Sequence, residues 1–126
     1  MSVVSRVRRD SGAAAVEFAL VATVLFTLLF GTIQFGFTFW EYIQVAHSAR
    51  EGVRWAALGA VDADAISKAE DASPGLDFSR AGASVDVLPG STSDSVKVIV
   101  TYPRTKLVPI PGLDDEIIST AELRLE

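Results

Sequence analysis

Residues 18–40 read "FALVATVLFTLLFGTIQFGFTFW", 23 consecutive positions without a charged side chain. As an α-helix this run extends roughly 34 Å at 1.5 Å per residue, enough to cross a hydrocarbon core of about 30 Å. Arg6, Arg8 and Arg9 precede it, opposed only by Asp10, and Glu41 follows it. That charge asymmetry predicts a cytoplasmic N-terminus by the positive-inside rule, and Trp40 and Tyr42 stand where an interfacial aromatic belt is expected. A cleaved secretory signal would have a shorter apolar core, about 7–15 residues, ending in a small-residue cleavage motif. This run is longer and ends in "QFGFTFWEY" (34–42), which is bulky and aromatic.

Helical periodicity continues outward. In "EYIQVAHSAREGVRWAAL" (41–58), Ile43, Ala46, Ala49 or Arg50, Val53 and Ala57 recur at steps of three and four, an amphipathic stripe. Glu51 and Arg54 are spaced for a weak ion pair, and Gly59 supplies a C-terminal stop. A single helix over 13–58 would be roughly 69 Å long, so its outer half must pack on its own globular part or on a neighbouring subunit. "DADAISKAEDA" (62–72) reads as a short helix with an Asp N-cap, ending before Ser73-Pro74-Gly75.

Beyond it the period becomes two. "SVDVL" (84–88) and "VKVIVTY" (96–102) alternate, and "PGSTSD" (89–94) between them suits an antiparallel hairpin. "TAELRLE" (120–126) is a third strand candidate, with residues 103–118 as a Pro-rich ordered loop. The expected fold class is α+β: a long N-terminal transmembrane and amphipathic helix followed by a small antiparallel sheet. Three strands laid on the 41–58 helix are favoured because an isolated hairpin is marginal.

Composition excludes much chemistry. Among the 126 residues there is no cysteine and a single histidine, His47, so thiol catalysis, disulfides and multi-His metal sites are out. Formal net charge is −5; without residues 1–12 eight basic side chains face fifteen acidic ones, a net of −7. A nucleic-acid binder would show a basic patch on its folded part. Asp114, Asp115 and Glu116 have calcium-ligand chemistry, but a solvated acidic loop is the simpler reading. His47 reads as a surface or helix-packing residue without an accompanying nucleophile motif. No catalytic residue, cofactor, metal or nucleic-acid partner is expected.

The chemistry-bearing stretch is "RRDSGAAAVEFALV" (8–21). Glu17 sits at the mouth of the apolar run, where a carboxylate is costly without a partner. Gly12, five residues earlier, suits a scissile position because its backbone can approach a protease closely. A cut between Gly12 and Ala13 would remove the arginines and create an amine that is largely cationic at neutral pH. That amine, one helical turn from Glu17, can meet its own carboxylate or that of the next identical helix, and such a pairing fixes register more than it adds stability. Ala15, Ala19, Thr23, Thr27 and Gly31 recur at steps of four, a ridge where another helix can approach. It drifts by about 40° per step, so it suits a crossing contact better than a long seam. Gln34 lies within the span, where it can bond a neighbouring helix or reach the interface.

The basic leader, Gly12, Glu17 and Phe18 at the head of an apolar helix resemble the type IV pilin superfamily. With the downstream "AREGVRWAALG" (49–59), the sequence is similar to the TadE-like pseudopilins, or minor pilins, of the tight-adherence (Tad or Flp) pilus machinery. The resemblance covers roughly residues 8–60 and implies a pilin-like architecture. It consists of a leader (1–12), a transmembrane helix (13–40) and an extracytoplasmic head (41–126). It further implies cleavage after Gly12 by a prepilin peptidase, with Glu17 and Phe18 in assembly and register. The implied partners are other Tad pilins or pseudopilins, the assembly platform and membrane lipid. The implied place is the bacterial inner membrane, single-pass, with possible entry into the pilus. Ala13 departs from the aromatic or methionine that begins many mature type IV pilins, so N-methylation is not carried over. The alternative is a permanently anchored, uncleaved module that binds an envelope or pilus partner.

Overall fold

The computed structural model describes residues 4–106, 112 and 114–125, with side chains described from Gly12 onward. The elements are α1 (Val4–Ala57), α2 (Asp62–Asp71), β1 (Ser84–Pro89), β2 (Ser95–Pro103) and β3 (Glu116–Arg124). The chain forms two compact units, Met1–Phe35 and Gly36–Glu126, so the boundary falls within α1.

The first unit is helical from Val4 onward. No proline occurs before Pro74, so every backbone N–H along this stretch is available to the helix ladder. Its apolar side chains point outward: Phe18 is 74% exposed, and Leu20, Val24, Leu25 and Leu28 are similarly bare. A contiguous apolar surface of this kind requires lipid or another apolar surface around it. Phe26 and Phe30 stack along the helix with ring centroids 6.3 Å apart.

The second unit is built on the outer segment of α1. Val45, Ala46, Ala49, Val53, Ala56 and Ala57 are buried there. The predicted stripe therefore needs correction: Val45 is inside, Ala49 rather than Arg50 occupies the core, and Ile43 is 49% exposed. The covering elements lie over the Val45–Ala49–Val53 row, which rotates Ile43 and Arg50 outward. α1 stops as its glycine predicts. Gly59 has φ +81°, the Ala60 N–H donates to the Trp55 carbonyl at 3.2 Å, and the Gly59 N–H donates to that of Ala56 at 3.1 Å. This is a Schellman ending.

α2 begins differently from expectation. Val61, not an aspartate, is its N-cap and makes no side-chain cap bond; Asp62 and Asp64 instead lie in the first turn. There they complement the helix dipole without capping. Ala65 and Ala69 are fully buried. The Ser48 hydroxyl donates to the Ala69 carbonyl at 2.7 Å, and the Ser73 hydroxyl to that of Gln44 at 2.8 Å.

The sheet has the order β1-β2-β3, antiparallel throughout. Val87 pairs with Val98 and Val85 with Val100, while β3 sets Ala121 opposite Val98 and Ile117 opposite Tyr102. Period-two alternation puts these side chains on one face, where they join Val45, Ala49, Val53 and Ala56 in a single core. Val98 and Val100 are fully buried, each worth roughly 1.5–3 kcal/mol of transfer free energy. β3 starts at Glu116, earlier than alternation around Ala121 suggests, because Glu116–Ile118 pair with Thr101–Pro103 of the long β2. Part of the expected 103–118 loop is thus strand; positions 107–111 and 113 lie outside the described residues.

The β1–β2 turn is latched to β3. The Glu122 carboxylate accepts from the Ser91 N–H at 2.6 Å, the Ser91 hydroxyl at 2.8 Å and the Ser95 hydroxyl at 2.6 Å. These bonds, the Ser95 hydroxyl foremost, hold the Glu122 carboxyl below the usual carboxylate range. Asp77 is held low likewise, chiefly by the Ser79 hydroxyl and then by the Ser79 N–H.

A Cβ at Gly52 would lie 2.9 Å from Ala69 Cβ and 3.3 Å from Val98 Cγ1. Gly52→Val is therefore expected to destabilise the second unit by about 1–3 kcal/mol through overpacking, read as a lower urea midpoint of tryptophan fluorescence. Since the folded-state pKa values of Glu122 and Asp77 are depressed, their contributions are present at neutral pH and disappear as pH falls through the carboxylate range. The urea midpoint should drop between about pH 5 and pH 3, and Glu122→Gln should flatten part of that drop.

Candidate functional site

Gly12, Ala13, Glu17 and Phe18 all lie on α1 and are exposed. Gly12 stands inside the helix, and a Cβ there would meet nothing within 4 Å. Ala13 and Glu17 are four residues apart, so they share one face with their side chains one turn apart. Glu17 has no ion pair among the described residues. Between Gly12 and Phe35 it is the one charged side chain on an otherwise largely apolar helix, the arrangement in which a positive partner is worth most.

The small-residue ridge is exposed along its length. The Thr23 hydroxyl donates to the Ala19 carbonyl and the Thr27 hydroxyl to the Thr23 carbonyl, each at 2.8 Å. Both threonines thus satisfy their donors on their own helix. Gln34, farther along, is buried.

The end of the apolar run is built more firmly than its sequence suggests. Glu41 is 3% exposed, and its two oxygens take the Thr105 N–H at 3.3 and 3.1 Å. It ties the segment leaving β2 to α1. Trp40 lies against the backbone of Gly75, where a Cβ would come within 2.5 Å of its ring. Trp40 and Tyr42 nonetheless stay 43% and 54% exposed. The Arg80 guanidinium donates to the Thr105 hydroxyl at 3.2 Å. Arg104 keeps Nε and Nη1 buried without a hydrogen-bond partner among the described residues. Sequence reading missed the Glu41–Thr105 tie because it spans 64 positions and joins a side chain to a backbone group.

Asp114, Asp115 and Glu116 line a surface depression with Ile118, and Asp115 pairs with Lys106. Among the described residues no group of three or more His, Asp or Glu side chains is placed to hold a metal ion. His47 is exposed on α1.

An apolar helix long enough by length and composition to cross a membrane, Gly12–Ala57, followed by a small three-stranded antiparallel sheet, defines an α+β protein of pilin-like layout. The family model described as TadE-like protein matches residues 12–54, which begin at Gly12 and take in Glu17 and the helix that carries the core stripe. That segment is TadE-like; the sheet lies outside the match. Comparison with curated proteins and with solved structures finds no match.

Glu41→Leu removes the acceptor of the Thr105 amide. It should cost about 1–3 kcal/mol, read as faster hydrogen exchange at Thr105 with exchange at Val98 changed less.

Proposed function

We propose that the protein is a structural minor pilin or pseudopilin of Tad-type pilus assembly. A prepilin peptidase cuts it after Gly12, and it then polymerises or primes a filament through its N-terminal helix. The observation that carries this reading is the TadE-like match over residues 12–54, which begins at Gly12. Supporting it, the exposed Glu17 shares a helix face with Ala13 and has no ion pair among the described residues.

Cleavage does two physical things. It removes the arginines, which hold the leader on the cytoplasmic side. It also exposes an amine at Ala13, one turn from Glu17. In a bundle of identical helices, the amine of one copy neutralises Glu17 of the next, and the register that makes these charges meet is selected over its neighbours. Phe18 and the Ala15–Gly31 ridge provide the apolar contact around that pair. The Gly12–Ala13 bond is helical, so the peptidase must first unwind the turn. Glycine makes that easier, since it costs a helix about 1 kcal/mol relative to alanine. The role is structural, with the head extracytoplasmic and the other Tad pilins, the assembly platform and lipid as partners.

The same helical continuity through Gly12 favours a second reading, in which the chain stays uncut as a permanent anchor for a partner-binding head. Intact mass and N-terminal sequencing of the membrane form separate the two. A mature chain beginning at Ala13 is expected in cells with active prepilin peptidase, and Glu17→Ala should abolish assembly while leaving membrane insertion and the cut intact. A chain still beginning at Met1, or assembly indifferent to Glu17→Ala, overturns the pilin reading.

A further inference from the structure

The outer segment of α1 leaves one ridge uncovered. Ile43, His47, Arg50, Arg54 and Leu58 are all exposed, whereas Val45, Ala49, Val53 and Ala56 enter the core. Steps of three and four keep these five on one face, cationic at its centre and apolar at both ends. Glu51 flanks the ridge, 3.6 Å from Arg54, and accepts from the Trp55 indole at 3.0 Å. Arg50 has no ion pair among the described residues.

α2 turns the opposite charge outward. With Ala65 and Ala69 buried, Asp64, Ser67, Glu70 and Asp71 face away from the core and are exposed. Asp62, Asp64 and Glu70 have no ion pair among the described residues, and the pair of Asp71 with Lys68 is long, at 3.9 Å. Lys68 leans instead over the Trp55 ring, 5.7 Å from its centroid.

The two ridges have the same pitch. His47, Arg50 and Arg54 are spaced three and four apart, as are Asp64, Ser67 and Asp71, so each set spans about 10.5 Å of helix. They do not meet within one molecule. α2 is held to the Gln44–Ser48–Gly52 flank of α1 by its inner side, through Ala69 and, just beyond its last turn, Ser73, which leaves its acidic side outward.

We propose that the α1 ridge of one copy docks on the α2 ridge of a second copy. With the two helices antiparallel, Arg54 meets Asp64 and His47 falls opposite Asp71. Arg50 lies between Ser67 and Asp71 and reaches the latter along its flexible side chain, while Ile43 and Leu58 exclude water at the two ends. The occupant is another copy because this chain carries both halves of the match in charge and spacing. The contact is heterologous: each copy that receives a neighbour on α2 still offers its own α1 ridge, so the contact repeats instead of closing. Exposed ion pairs contribute little singly. Copies confined to one membrane, however, meet at a high effective concentration, where weak contacts suffice. The inference deepens the pilin reading and rests on it for that confinement.

The absence of cysteine makes the test direct. Full-length His47→Cys and Ser67→Cys chains, with different tags, are co-expressed in membranes and treated with a bismaleimide whose reach matches a helix–helix separation of about 8–10 Å. The mixed product should exceed either same-tag product several-fold. Arg50→Glu with Arg54→Glu in the His47→Cys chain should remove that excess, and Asp64→Lys with Asp71→Lys in the Ser67→Cys chain should restore it. Equal mixed and same-tag products, dominant His47→Cys homodimers, or an excess indifferent to charge reversal overturns the docking. N-terminal sequencing of the same samples keeps the two readings apart. Cross-linking in an uncut chain would leave docking standing without processing, and a cut, Glu17-dependent chain without mixed product would remove docking alone.

Discussion

The second unit depends on how closely three elements approach at Gly52. Ser48, Gly52 and Ala56 present almost no side-chain bulk at steps of four, so the backbone of α2 comes within bonding distance of the Ser48 hydroxyl, and Val98 of β2 comes against Gly52 from the sheet. With larger residues there, α2 would stand off and the valines of β2 would lose the surface they pack on. A row of small side chains in a helix is thus what permits a ten-residue helix and three short strands to enclose a core.

One helix meets two demands. From Phe18 to Phe35 it exposes bulky apolar side chains beside a ridge of small ones, and beyond Gly36 it has a core face and a solvent face. The change of character falls among phenylalanines and is completed at Glu41, whose carboxylate is turned inward onto Thr105. A charge that marks the end of an apolar run in sequence also ties the segment leaving β2 to the outer part of α1.

Local sequence carried the helix, the hairpin and the layout because each rests on a pattern with a short repeat. The apolar run, the alternation of 96–102 and the glycine that stops α1 act within a few residues of themselves. Details decided by distant partners were harder to read. Which side of residues 41–58 enters the core depends on where α2 and the sheet lie, so periodicity alone does not separate the buried Val45 from the exposed Ile43. The N-cap of α2 fell to Val61 although aspartates stood next to it. In the candidate site, Gly12, Ala13, Glu17 and Phe18 could be picked out from spacing and family resemblance. The Glu41–Thr105 bond, Trp40 against Gly75 and the latch of Glu122 on the turn all arise from folding distant segments together.

The threonine hydroxyls of α1 bear on how such a helix can change surroundings. Thr23, Thr27 and Thr32 each donate to a carbonyl four residues back, so none needs a bond from lipid or from a neighbouring chain. Moving this segment from a bilayer to a bundle of like helices exchanges one apolar contact for another and leaves its hydroxyl bonds as they were. Between Gly12 and Ile33, Glu17 is the one polar side chain without such a bond among the described residues. The segment therefore carries its polar groups already satisfied along nearly its whole length, with a single carboxylate as the exception.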